Sequence, residues 1–300
     1  MDTGAENPGN VPKLRRSTAA MRELDAMVWR DGIAFSSYGV RIGIRISAAG
    51  FAPALERFLP SDRKATTASV DHLFSLVVGT GGLSQSNALY AGADSLGQSS
   101  DLSLVLKLLE AEIRRTVAER ASRRVFVHAG AVGWRGRAII LPGASLSGKS
   151  TLVAELVRLG ARYYSDEYAI IDENGFVHPF ARPISLRKPD SFEGVEHRIE
   201  DLGGTVGTSA IPIGIVAQTH FVVEGRWRPQ VLTQGQGLLS LISHSIAMRR
   251  NPARVARILA LALGQAIVVK GARGEASDAA RALIAIAEGP SARVDQHPIL

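Results

Sequence analysis

The residue types best suited to chemistry stand in one run, Gly143-Ala144-Ser145-Leu146-Ser147-Gly148-Lys149-Ser150. The run fits G-x-x-x-x-G-K-[ST], in which glycines let the backbone curl and turn successive N–H groups toward phosphate oxygens. In such a loop Lys149 supplies a mobile cation for the β/γ-phosphates, and the Ser150 hydroxyl is placed to take one coordination position on Mg²⁺. Farther along, Asp166-Glu167 form an acidic pair. Where a strand ends beside a phosphate loop, carboxylates serve Mg²⁺ ligation or accept the proton in phosphoryl transfer. Taken alone, such a pair is an ordinary solvated turn. His128 precedes the loop within an apolar run, and a lone histidine there is an ordinary structural residue.

The flanks raise the run above a glycine-serine turn. Arg137–Leu141 is short, apolar and bounded by Gly136 and Pro142, which predicts a buried strand. Behind the loop, Leu152, Val153, Leu156, Val157 and Leu159 recur at helical spacing until Gly160, a natural residue just past a helix end. That order aims a helix N-terminus, with its partial positive charge, at the phosphate site. Residues 161–165 predict a further strand that stops at Asp166.

The other elements must hold this unit. Residues 125–132, joined through a turn at 134–137 to the loop strand, predict a hairpin that sets His128 on a neighbouring strand. Residues 168–171 and 177–187 read as extended, the latter through Pro179 and Pro183, with Arg182 and Arg187 as candidate phosphate or partner contacts. Strand-like runs are expected over 211–223, with His220 structural, and over 266–270; helices are expected over 238–248, 252–263 and 276–287. His244 and Arg249 could reach a ligand, although their spacing does not demand it.

Toward the N-terminus, Val40, Ile42, Ile44 and Ile46 share one parity and Arg41 and Arg45 the other, which predicts a half-exposed strand. A short helix is expected over 51–59, a strand over 73–78, and turns and loops at 79–82 and 84–100. Residues 102–120 predict an amphipathic helix bridging a small N-terminal α+β region, 1–118, and a nucleotide domain, 119–300. The start, 1–20, is expected to be disordered and the tail from Gly289 flexible.

Composition bounds the function classes. The chain has 300 residues, 46% of them hydrophobic, which allows one large domain or two smaller ones. It has no cysteine, so disulfides, cysteine nucleophiles and cysteine metal sites are excluded. No apolar run approaches the roughly 20 residues of a membrane span, and the acidic, glycine-rich N-terminus has no signal character. The expectation is a soluble, unexported, cytoplasmic chain. Its net charge of +7 could attract nucleic acid, phosphorylated ligands or acidic peptides. The basic residues are dispersed on predicted helices without interleaved aromatics, so a nucleic-acid partner is not expected.

One ordered set, His128-Ala-Gly-Ala-Val132, Gly143 to Ser150, Ser165-Asp-Glu167 and Pro179 to Arg187, resembles the HPr kinase/phosphorylase superfamily, specifically its HPr-kinase-like members such as lasso-peptide precursor kinases. The likeness covers about residues 120–220 best. It implies an α/β (α+β) architecture, a phosphoenolpyruvate-carboxykinase-like P-loop kinase domain in which the loop sits between mostly antiparallel strands. It further implies that Gly143 to Thr151 hold ATP phosphates, that Ser150 and Asp166 hold Mg²⁺, and that His128 lies by the reacting phosphate. Glu167 stands where the bifunctional members carry the aspartate that takes the substrate proton, one methylene longer, so either Glu167 or Asp166 is the base. The glycine-rich signature of those members has no match here, Gly203 to Gly207 standing roughly in its place, which leaves phosphorolysis and HPr itself without support. A homo-oligomer is a further implication.

The expected activity is ATP- and Mg²⁺-dependent transfer to a serine hydroxyl of a peptide or small protein, with Lys149 and a carboxylate as the catalytic groups beside His128. Two other readings stay open: a nucleotide-binding regulatory or scaffold protein without transfer, and a small-molecule kinase.

Overall fold

A computed structural model describes residues 11–14, 21–67, 69–79, 86–144, 147–187 and 194–289. Ser145, Leu146, most of the first 20 residues and the tail after Gly289 lie outside the described residues, and with them the expectations of disorder and flexibility made there. The architecture is mixed α/β, with seven α-helices among the described residues. The chain divides into two compact units, 1–123 and 124–300.

The first unit contains β1 (Lys13–Leu14), α1 (Arg22–Asp25), β2 (Asp31–Ser37), β3 (Val40–Ile46), α2 (Ala52–Leu55), β4 (Lys64–Ala65), β5 (Ser69–Val70), β6 (His72–Val77), β7 (Asn87–Ala91), β8 (Asp94–Ser99) and α3 (Leu102–Arg120). Its main sheet runs β4-β2-β3-β6-β7-β8, and α3 packs on β7 and β8 through buried Val105, Leu109 and Ile113. The hairpin β7–β8 overturns the loop expected over 84–100. Small residues disguise it, while Ala88 and Leu89 are buried and the Asn87 side chain ties its base to Gly79, Ser99 and Ser100. Arg45 departs from the expected solvent face as well, since it is only 4% exposed. The helix expected over 51–59 is split into α2 and a 3-10 turn, Glu56–Phe58.

The second unit contains β9 (Arg124–Trp134), β10 (Arg137–Pro142), α4 (Lys149–Arg158), β11 (Arg162–Ser165), β12 (Tyr168–Asp172), β13 (Phe176–His178), β14 (Ile184–Arg187), β15 (Gly194–His197), β16 (Ile211–Phe221), β17 (Gln230–Val231), α5 (Gln234–Ser243), α6 (Pro252–Leu263), β18 (Ile267–Arg273) and α7 (Ala276–Glu288). Eight of these strands form one sheet, β10-β9-β12-β13-β16-β18-β17, with β11 also on β9 and β10 pairing back to β16. β9 and β10 are antiparallel; β16 runs parallel to both β10 and β18. The strand that enters the glycine loop is therefore held on both edges.

Alternation along the strands builds a core on each face. Ala138 and Ile140 join α5 and α6 residues such as Leu241, Val255 and Ile258 on one face. Ile139 and Leu141 join Leu152, Val153 and Leu156 of α4 and Leu283 of α7 on the other. Each such fully buried side chain contributes roughly 1.5–3 kcal/mol of transfer free energy, an upper estimate against a compact unfolded chain. Gly130 of β9 lets α4 settle closely, because a Cβ there would stand 2.6 Å from Val153 Cγ2. α5 starts at Gln234, earlier than expected, because Thr233 and Gln236 form a capping box, and it ends at Ser243.

Candidate phosphate site

The loop leaves β10 at Pro142 and enters α4 at Lys149. Gly148, at φ +79°, is the N-cap of α4, a left-handed conformation that glycine adopts without strain. Among the described residues, no side chain caps this helix. α5 and α6, by contrast, are capped by Thr233 and Asn251. An uncapped first turn presents N–H groups and partial positive charge to an anion.

Lys149 is 7% exposed, and its Nζ donates to the Ala144 carbonyl at 2.7 Å. Burial lowers its pKa, opposed by Asp166. The Ser150 hydroxyl donates to Asp166 Oδ2 at 3.0 Å, and the Tyr163 hydroxyl donates to Oδ1 at 2.9 Å. Burial and the Asp166 charge push the Tyr163 phenol far up, so it remains a donor. Ser165 Oγ accepts from the amides of Glu167 and Tyr168 at 3.1 and 3.0 Å, which fixes the turn between β11 and β12.

His128 and Ala129 form the junction of these pieces. The His128 amide donates to the His244 carbonyl at 2.8 Å, its carbonyl accepts from Gly143 at 3.4 Å, and the Ala129 amide donates to the Glu167 carbonyl at 3.2 Å. The His128 imidazole is pulled down to about 4, by burial first and then by the Lys149 and His244 charges. It is neutral near pH 7 and needs no counter-ion. Gly203 to Gly207 lies along β11: Tyr163 donates to the Thr205 carbonyl and Gly207 donates to Tyr163, both at 2.8 Å.

Of the residues singled out in the sequence, the structure brings Gly143, Ala144, Ser147, Gly148, Lys149, Ser150, Asp166, Glu167 and the backbone of His128 into one neighbourhood. Thr151 is exposed on the first turn of α4, and Arg187 is exposed on the β14–β15 ribbon. Arg273, at the end of β18, carries no sequence signal. Its Nη2 donates to the Gly148 carbonyl at 2.9 Å and its Nη1 to Gly274 at 3.0 Å, while its buried Nε has no partner. The side chain is 3% exposed, and no carboxylate of the described residues lies within ion-pair distance, Glu275 acting on it only from farther off. A cation 125 residues from the glycine it touches leaves no pattern to read.

The oxygens of Ser150 and Asp166 suit Mg²⁺. Two cis ligands at about 2.1 Å lie about 3.0 Å apart in an octahedron, which is the separation seen, and Mg²⁺ completes its shell with phosphate and water. Two buried cations, an uncapped helix start and a half-buried carboxylate thus stand together at the start of α4. No protein-family model matches the chain, and no curated protein sequence matches it.

Proposed function

We propose that the chain is a P-loop kinase of the phosphoenolpyruvate-carboxykinase-like type, transferring the γ-phosphoryl group of ATP to a serine hydroxyl of a peptide or small protein. The observation that carries this reading is the Ser150–Asp166 contact, which couples the start of α4 to the acidic pair in the turn between β11 and β12. Glycine amides, Lys149 and Arg273 supply positive charge around the phosphates, where fixed dipoles and cations act strongly because water is excluded. Mg²⁺, held by Ser150 and Asp166, would neutralise charge on the phosphate oxygens.

Both Asp166 oxygens are already engaged, by Ser150 and Tyr163. In this reading Asp166 is the positioning carboxylate and Glu167 takes the proton. In the step, the seryl oxygen bonds to the γ-phosphorus, the bond to the bridging oxygen breaks, ADP leaves, and the hydroxyl proton passes to the Glu167 carboxylate.

The test is incubation of the full chain with γ-labelled ATP, Mg²⁺ and a cell extract. Label should enter peptides in acid-stable form. Glu167→Gln should lower that transfer about 10²–10⁴-fold while ADP·Mg binding persists. Label appearing only in small metabolites would favour the small-molecule kinase, and ADP·Mg binding without transfer would favour the regulatory protein.

A further inference from the structure

A second concavity opens in the same unit on the sheet face that carries α5. It encloses about 490 Å³ and is lined by Gln218 and His220 of β16, Lys270 of β18, Arg228, Gln230 and Leu239 among others. Three of these are basic or protonatable, and no Asp or Glu lines the groove. Arg228 and Lys270 have no ion pair among the described residues, so the positive potential is not cancelled locally.

The groove sits at a telling place in the sheet. β16 and β18 run parallel to β10, so their carboxyl ends point the way β10 points into the phosphate loop. Gln218 pairs with Lys270, and three residues on Phe221 pairs with Arg273, whose guanidinium touches Gly148. Lys270 is thus about 10 Å along the strand from the residue that meets the loop. Along the far side runs the two-residue β17, at the end of the sheet and bonded, among the described residues, only to β18. An open strand edge invites an extended chain. Leu239, 66% exposed, offers apolar contact beside it.

We infer that this groove binds the acceptor as an acidic, extended peptide and delivers its serine across the strand ends to the phosphate site. The inference rests on the kinase reading above. Nucleic acid fits less well, because among the described residues no Trp, Tyr or Phe lines the groove to stack a base.

The test is fluorescence anisotropy of the full chain with a fluorescein-labelled Glu/Ser/Leu peptide, and with a Lys/Ser/Leu peptide for comparison. The acidic peptide should bind and the basic one should not, and binding should weaken with salt as screening requires. Arg228→Glu with Lys270→Glu should weaken the acidic peptide about tenfold or more. The exposed pair Arg257→Glu with Arg281→Glu, of equal charge change, should not. Equal loss in both double variants, undiminished binding in the first, or displacement by oligouridylate at lower concentration than by unlabelled acidic peptide would overturn the proposal. ADP·Mg affinity, read in the same samples, should be equal in all three proteins. Its absence from the wild type would overturn the kinase reading and the groove's role toward an acceptor, while the anisotropy would still decide whether the groove selects acidic peptide.

Discussion

Each of the two units buries an arginine, and the two are treated differently. Arg45, in the first unit, meets the Asp25 carboxylate at 2.6 Å and Ser75 Oγ at 2.8 Å, and lies over the Trp29 ring at 4.4 Å. Arg273, in the second, meets two backbone carbonyls and an aromatic face, Phe221, at 5.7 Å. Both leave one nitrogen without a partner, Nη2 in Arg45 and Nε in Arg273, so hydrogen-bond satisfaction does not separate them. The counter-ion does. An unpaired buried cation is costly enough that folds avoid it unless something else supplies the opposite charge. Arg45 finds its counter-ion within the first unit, whereas the second keeps Lys149 and Arg273 around one loop, an arrangement that, on the proposed reading, a bound polyphosphate would complete.

This contrast can be broken at four points. Lys149→Ala should weaken ADP·Mg binding by about 2–5 kcal/mol, read by calorimetry, while the ligand-free protein melts no lower than the wild type. Arg45→Met should lower stability in chemical denaturation by about 3 kcal/mol, removing the guanidinium that Asp25 and Ser75 share, and should leave ADP·Mg affinity alone. Arg273→Met should do the reverse, weakening ADP·Mg about tenfold at a stability cost of about 1–2 kcal/mol for the two carbonyls left behind. If Arg273→Met destabilised as much as Arg45→Met and bound nucleotide normally, Arg273 would be a structural tie and the contrast would collapse.

The smallest effect concerns His128. Its folded-state value of about 4 lies below the ordinary 6.5, so the unfolded chain binds more protons between them. Stability is therefore full above about pH 6.5 and falls as pH drops toward 4, by about 1 kcal/mol once solvent screening of this half-buried ring is allowed for. His128→Asn should flatten the melting temperature across that window. An unchanged slope would show that burial and the neighbouring charges do not hold the ring neutral.

Much of this arrangement was legible because it is local. The apolar run of β10, the glycine loop and the helical spacing of α4 sit side by side in the chain, and backbone physics turns them into strand, turn and helix almost independently of the rest. The β7–β8 hairpin was not legible, because Ser, Gly and Asn give turn signals and its strand character comes from burial of Ala88 and Leu89 and the clamp at Asn87. Arg45 reads as a solvated residue on an alternating strand, and only Asp25, Ser75 and Trp29, brought in by the fold, bury it. At the site, the Ser150–Asp166 contact follows from strand and helix order. Arg273 reaches Gly148 through the parallel pairing of β16 and β18, a tertiary event with no counterpart in spacing.

A hydrogen atom at position 130 governs more than local packing. Val153 rests against that bare Cα, and one turn earlier the same helix carries Lys149 and Ser150. Any methyl at Gly130 would press on Val153 and oblige α4 to give way. The spacing between the Ser150 and Asp166 oxygens thus depends on packing at a residue that owns no functional group.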